Sequence, residues 1–225
     1  MKNMMHYFPE FDINVYKRDI GAVYDTDKAT SILKMIEEAY IHTDELLWTY
    51  RRKGYSHLLE YLVKDTDFLT APASTKFHGN FPGGLLIHSY NVTKRMSELS
   101  KLSGISNYET TDESITLTGI FHDLCKVNTY KKASSNPTNS TFTVITPYSN
   151  PFGYQHKEEL ITGFHGPKSV FILQKYINLK NWEATAIMCH MGNFESKDSS
   201  KVFETNHLAW ILHAADEAST FIDKI

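Results

Sequence analysis

Histidine and aspartate recur along this chain in an order that a metal ion could use: His88, the adjacent pair His122-Asp123, His165, His190 and Asp216. Imidazole nitrogens and carboxylate oxygens are the usual protein ligands of divalent transition metals. A site built inside a helical protein gathers them from several separated helices. An adjacent His-Asp pair is common by chance. This one ends an apolar run, Gly119-Ile120-Phe121-His122-Asp123-Leu124-Cys125-Lys126, with a lysine three residues beyond the aspartate. His88 closes the stretch Gly83-Gly84-Leu85-Leu86-Ile87-His88. A lone histidine on an apolar face is more often a satisfied core residue than a ligand, so the set carries the argument, not the single residue. Asp216 lies within Ala214-Ala215-Asp216-Glu217-Ala218, where a buried carboxylate needs a partner. A metal would answer that, and so would Arg95 or a lysine.

The elements that must position these residues read as helices. Leu85, His88, Val92, Met96 and Leu99 recur at three- or four-residue steps over 84–103, which puts His88 on the buried stripe. A helix ending in Phe121-His122-Asp123-Leu124 follows, with Asp112 or Ser114 as its cap. Ser169 to Ile177 forms another, started by Pro167 behind Gly163-Phe164-His165-Gly166. Asn181 caps a helix over Trp182 to Met191 that carries His190 and stops at Gly192, and Glu204 to Ile222 carries Asp216. Upstream, residues 1–27 read as short strands or an irregular arm. Lys28 to Arg52 reads as a helix capped by Thr26 or Asp27, and Ser56 to Lys64 as a shorter one. His6, His42 and His57 have no partners at metal spacing and read as surface or packing residues. Residues 65–83 form a Pro- and Gly-punctuated loop holding His78, which either touches substrate or is solvated. Between the helices, 127–156 changes character. A polar turn over Ser134 to Ser140, flanked by β-prone Val127 to Tyr130 and Thr141 to Thr146, predicts a β-hairpin insertion. Helix is expected to resume near Gln155, and 193–203 reads as a polar loop. The expected fold is mainly α with that small hairpin: an N-terminal helical segment over 1–74 packed on a domain over 75–225, as one compact unit.

Composition narrows the function classes. The chain has 225 residues, 41% of them hydrophobic and 22% charged, enough for a sizeable core and too apolar for wholesale disorder. A net charge of −3 argues against strong binding to duplex nucleic acid, though not against a nucleotide whose charge a metal would meet. The two cysteines, Cys125 and Cys189, lie in apolar helical segments outside any CxxC pattern and read as reduced thiols. With no signal-peptide pattern at the start and no run of about 18 apolar residues, a cytoplasmic protein without a membrane partner is expected. Oligomeric state is left open.

The order His88, His122-Asp123, His165, His190, Asp216 resembles the HD superfamily of metal-dependent phosphohydrolases over roughly residues 75–220. Gly83 to His88, His122 to Lys126 and the upstream His78 are similar to the core of HD-type 3′–5′ exoribonucleases. His165-Gly166-Pro167, His190-Met191-Gly192 and the Leu212 to Asp216 segment are similar to HD-type diadenosine tetraphosphate hydrolases. The β-barrel that precedes the HD domain in the exoribonucleases has no counterpart in residues 1–74, and the hairpin fits neither branch. The resemblance implies an HD-domain helical bundle with one or two divalent transition metal ions, Mn, Fe, Co, Ni or Zn. His88, His122, Asp123 and Asp216 would hold the first; His165 and His190 the second, with Asp123 reaching both. A carboxylate has two oxygens and can bridge, whereas an imidazole has one free lone pair and cannot. Such ions clamp a phosphate and activate water. Lys126 would stabilise charge on the phosphoryl oxygens, or else merely answer a helix dipole. The implied substrate is a small phosphorylated molecule, a nucleotide first. A nuclease or phosphodiesterase acting on small nucleic acid, a non-catalytic nucleotide-binding regulatory module and a di-iron oxygenase are the alternatives. Phe77, Phe81, Tyr148 and Phe152 are the aromatics that could stack on a base.

Overall fold

The helix over Gly84–Leu99, α4, buries most of its first three turns: Leu85, Leu86, Ile87, Val92 and Met96 are buried, and so are the polar His88, Ser89 and Thr93. A helix buried over so much of its surface has to be covered by others. In a computed structural model, which describes residues 6–102, 104–105, 109–132, 150–157, 164–192 and 199–223, α4 packs against α2 (Thr26–Thr49), α5 (Asp112–Phe121) and α9 (His207–Phe221). The chain is mainly helical, with one small sheet among the described residues. The other helices of the described residues are α1 (Asn14–Gly21), α3 (Tyr55–Asp65), α6 (His165–Leu173), α7 (Asn181–Cys189) and α8 (Ser199–Thr205). Helix α7 packs between α6 and α9, and α1 lies on α2. One buried cluster runs from Phe8 through the helices to Ala215. Among the described residues, no helix is long and apolar enough to cross a membrane.

Several expectations are corrected. Residues 14–21 form α1, not strand or irregular arm. Tyr16 and Ile20, one turn apart, bury the face that packs on α2, and the helix has no side-chain N-cap that would have announced it. The cap of α2 is Asp25, whose carboxylate accepts the Lys28 N–H, and that of α5 is Thr111, whose hydroxyl accepts from Ser114. Asn181 is the first residue of α7, and the cap position belongs to Lys180.

The insertion is a two-stranded antiparallel ribbon, but its second strand lies later than expected. Strand β1 (Tyr130–Lys132) pairs with β2 (Tyr154–His156), Tyr130 opposite His156 and Lys132 opposite Tyr154. The expected turn over 134–140 and strand over 141–146 lie outside the described residues. Helix does not begin at Gln155: that residue is in β2, where Tyr154 buries its ring beside Phe152. Part of the expected loop over 193–203 is helix α8. Val202 and Phe203 pack on the core from it, which a polar reading of the stretch could not show; residues 193–198 lie outside the described set.

Candidate metal centre

The same local device ends two helices and aims a histidine from each. His122 is the residue after α5, and its Nδ1 lies 2.9 Å from the Gly119 carbonyl. His190 is the residue after α7, and its Nδ1 lies 2.7 Å from the Ile187 carbonyl. A carbonyl only accepts, so in both rings Nδ1 carries a proton and Nε2, turned inward, presents a bare lone pair whenever the ring is neutral. The His190 Nε2 has no hydrogen-bond partner and no contact with solvent. Such a carbonyl-anchored tautomer is how metal-ligating histidines are held.

These lone pairs converge with three other groups. His88 comes from the first turns of α4 and Asp216 from the middle of α9, while Asp123 follows His122 as the backbone leaves α5 for a 3-10 turn over Leu124–Lys126. His88 and His122 face each other Nε2 to Nε2 at 3.3 Å. The Asp216 Oδ1 stands 3.1 Å from His88 Nε2 and 3.9 Å from His122 Nε2. The Asp123 Oδ2 stands 3.5 Å from His88 and 3.4 Å from His122, while its Oδ1 faces His190 at 3.7 Å. Metal bonds to N and O run to about 2.0–2.2 Å, so neighbouring ligand atoms sit roughly 3.0–3.5 Å apart around one ion. The contacts among His88, His122, Asp123 and the His88–Asp216 pair have that spacing, while His190 to Asp123 and His122 to Asp216 are wider, at 3.7 and 3.9 Å. The buried groups His88, His122, Asp123 and His122, His190, Asp216 could each hold a metal ion, and the two oxygens of Asp123 point to different imidazoles.

Close packing of small residues brings these helices together. Thr93 of α4 occupies the space where a side chain on Gly119 of α5 would stand. The loop before α4 is drawn onto its start: Gly83 N–H donates to Thr70 O, Leu85 N–H to Ala71 O, and the backbones of Gly79 and Gly84 meet where a Cβ on Gly84 would stand. On α9, Asn206 caps the helix and also donates to Trp182 O on α7. His213 Nδ1 lies 2.7 Å from the His190 carbonyl, fixing the end of α7. Ser219, one turn beyond Asp216, places its hydroxyl 3.3 Å from His88 Nδ1.

The electrostatics are those of a buried charge cluster. His88, His122 and His190 are fully buried and Asp123 nearly so. Burial pushes the Asp123 carboxyl up, but Lys126 and His122 beside it outweigh that and hold it well below the usual carboxylate range. Burial acts likewise on Asp216, and His88, His122 and His190 hold it low. His88 and His190 end above the ordinary histidine value, because the carboxylates overcome burial. For His122 burial wins and the value falls. Lys126 Nζ sits 2.5 Å from Asp123 Oδ2, and burial lowers its pKa less than Asp123 raises it. It therefore lies against Asp123 and answers a carboxylate rather than a helix dipole. The least buried groups are Asp216, whose side chain is 15% exposed, and Lys126 at 12%, so the cluster reaches solvent on that side.

The remaining candidates fall differently. His165 opens α6, half-buried, and its neighbour Gly166 backs onto Ile187 and Met188 just before His190. It belongs to neither group of converging ligand atoms. Arg95 does not partner Asp216; it pairs with Asp223 at 2.6 Å and Glu98 at 3.0 Å. Phe81 and Phe152 are core residues, Phe77 is exposed, and Tyr148 lies outside the described residues. His78 is not a solvated loop residue. Its ring lies 4.7 Å from that of His88, both its nitrogens are buried without a hydrogen-bond partner, and burial, then His88 and Lys126, push its pKa down to about 3. His213 and Ser219 were not among the expected site residues. Their signal is that they are polar and lie one turn either side of Asp216 on α9. The chain matches no protein-family model, no curated protein and no solved structure.

Proposed function

We propose that this chain is an HD-type metal-dependent phosphohydrolase acting on a nucleotide or another small phosphate ester or anhydride. The observation that carries this reading is the pair of carbonyl-anchored imidazoles, His122 and His190, turning bare Nε2 lone pairs onto the carboxylates of Asp123 and Asp216 in a buried cluster. His88, His122, Asp123, His190 and Asp216 would hold one or two ions. The mixed nitrogen and oxygen donors suit Mn, Fe, Co, Ni or Zn. A bound ion supplies Lewis-acid polarisation of a phosphoryl oxygen and makes water acidic enough to act near neutral pH. The chain's own residues do the rest. Lys126 holds the Asp123 carboxylate ionised and in place. Its remaining N–H groups are available to phosphoryl oxygens as charge develops there. Serine and backbone groups behind the histidines keep each ring in the productive tautomer. His165, at the start of α6 near the end of α7, is the residue that would complete a second ion site beside His190.

Elemental analysis of the full chain purified without chelator, beside Asp123→Ala, tests this. About one or two equivalents of a transition metal are expected, lost in the variant together with turnover on a panel of nucleotides. Two equivalents support His165 and His190 as second-site ligands; one withdraws His165. Nucleotide binding without turnover under every metal tried would favour a regulatory module. No metal uptake after reconstitution with Mn, Fe, Co, Ni and Zn would sink the reading.

A further inference from the structure

His78 sits in a loop built with some strictness. Ala73 N–H donates to Gly79 O, the Ser74 hydroxyl donates to His78 O, and Phe77 N–H donates to Ser74 Oγ. Gly79 takes a left-handed φ of +56°, and its backbone presses directly on Gly84 at the start of α4. The loop thereby fixes the His78 ring against His88, at 4.7 Å between centroids and tilted by 41°. Yet the imidazole so placed bonds to nothing: Nδ1 and Nε2 are both shielded from solvent and both lack a partner. A buried polar atom left unpaired destabilises the fold. An apolar ring would fill the same space without that penalty. A polar ring held rigidly beside a reactive cluster and left unpaired there implies a partner that arrives with the ligand. His78 lies outside both groups of mutually close donor atoms. It stands one layer out, against the imidazole of His88.

We propose that His78 is a substrate-contact residue, whose imidazole hydrogen-bonds a phosphoryl oxygen of a ligand seated on the His/Asp cluster. This rests on the cluster binding metal, and it adds a recognition element on the loop before α4, separate from the ligand set and from Lys126. The ligand chemistry it selects is a tetrahedral oxyanion with several acceptor oxygens, and inorganic phosphate is the simplest probe of it.

The test uses the full chain loaded with Mn, comparing wild type with His78→Ala and with His78→Phe, which keeps a ring but has no nitrogen. Three quantities are read: metal content by elemental analysis, phosphate affinity by isothermal titration, and melting temperature. Metal content is expected to stay at the wild-type level, and melting to fall little in His78→Ala and to hold or rise in His78→Phe. Phosphate affinity should fall about ten- to hundredfold in both variants, the order of one hydrogen bond to a charged group. Unchanged phosphate affinity, or a wild-type protein that loads metal but binds no phosphate, overturns the assignment. Loss of metal along with phosphate would make His78 a ligand or its support, and collapse of both variants would make it structural; either refutes the contact role. A wild-type chain that takes up no metal fails at the earlier step, refuting the metal-centre reading and this inference with it.

Discussion

Asp123 is where the cluster's opposing forces meet. Its Oδ2 serves His88 and His122, its Oδ1 faces His190, and Lys126 presses on Oδ2. Its folded-state pKa is depressed. The stability it contributes is therefore present above the ordinary aspartate value of about 3.9 and lost as pH falls through the lower folded value. In Lys126→Met the chief opposing charge is gone, and only the histidines are left to oppose the upward push of burial. Asp123 should then take a proton at higher pH, where it competes with a metal. The pH of half-maximal metal release is expected to move upward, read by dialysis and elemental analysis across pH 4–7. Turnover should fall by about 10²-fold at a pH where metal is retained, as when one charge-stabilising donor is removed from a site. A release profile that does not move would place Lys126 outside the cluster's electrostatics. At this scale the identities of His88, His122, Asp123, His190 and Asp216 were legible from residue type and order. The roles of His213 and Ser219 were not, and His78 was left between substrate contact and a solvated loop, because each is defined by a neighbour distant in sequence.

Between elements, the strongest tie outside the centre is a clamp on the starts of α5 and α7. Arg52, in the turn between α2 and α3, binds Glu183 of α7 through two N–H groups at 2.6 and 2.7 Å and Glu113 of α5 at 2.7 Å. Glu183 also accepts from the Ser114 hydroxyl and the Lys180 N–H. Burial pushes its carboxyl up, but Arg52 and Ser114 hold it low. Glu183 is fully buried, so taking away the guanidinium strands a charge, which typically costs about 3–5 kcal/mol. Arg52→Met is expected to lose that much in urea unfolding, and the double variant Arg52→Met, Glu183→Met to recover most of it, since an apolar pair leaves no bare charge. If the double variant is as unstable as the single one, the clamp is not what joins these helices. No sequence pattern relates Arg52 to Glu183. They are brought together because α2, α5 and α7 are neighbours, and that neighbourhood is a property of packing.

Over the whole molecule, the ligands come from α4, α9 and the ends of α5 and α7, so an ion bound there would cross-link four helices. A ligand that binds only the folded state stabilises it by about 2.7 kcal/mol when present at 100 times its dissociation constant. Adding Mn or Zn to chelated protein should raise the melting temperature, and Asp123→Ala should abolish the rise. The effect should also grow with pH. The raised values of His88 and His190 stabilise the metal-free fold fully below the unfolded histidine value of about 6.5, and that contribution is lost as pH rises through the folded values. The same deprotonation bares their lone pairs for metal. The metal-induced shift in melting temperature is thus expected to be larger at pH 8 than at pH 6, and a flat profile would contradict the assigned protonation states. What the sequence determined alone was the helical period of the core, the buried stripe of α4 with His88 on it and the ordered donors along the chain, because these are local patterns of residue type. It did not determine α1, α8 or the pairing of β1 with β2, whose short segments take their conformation from the surfaces they cover. Nor did it determine that Lys126 would lie on Asp123 or that His78 would lie unpaired against His88. Those depend on how closely helices approach, and that is settled where Gly119 meets Thr93 and Gly84 meets Gly79.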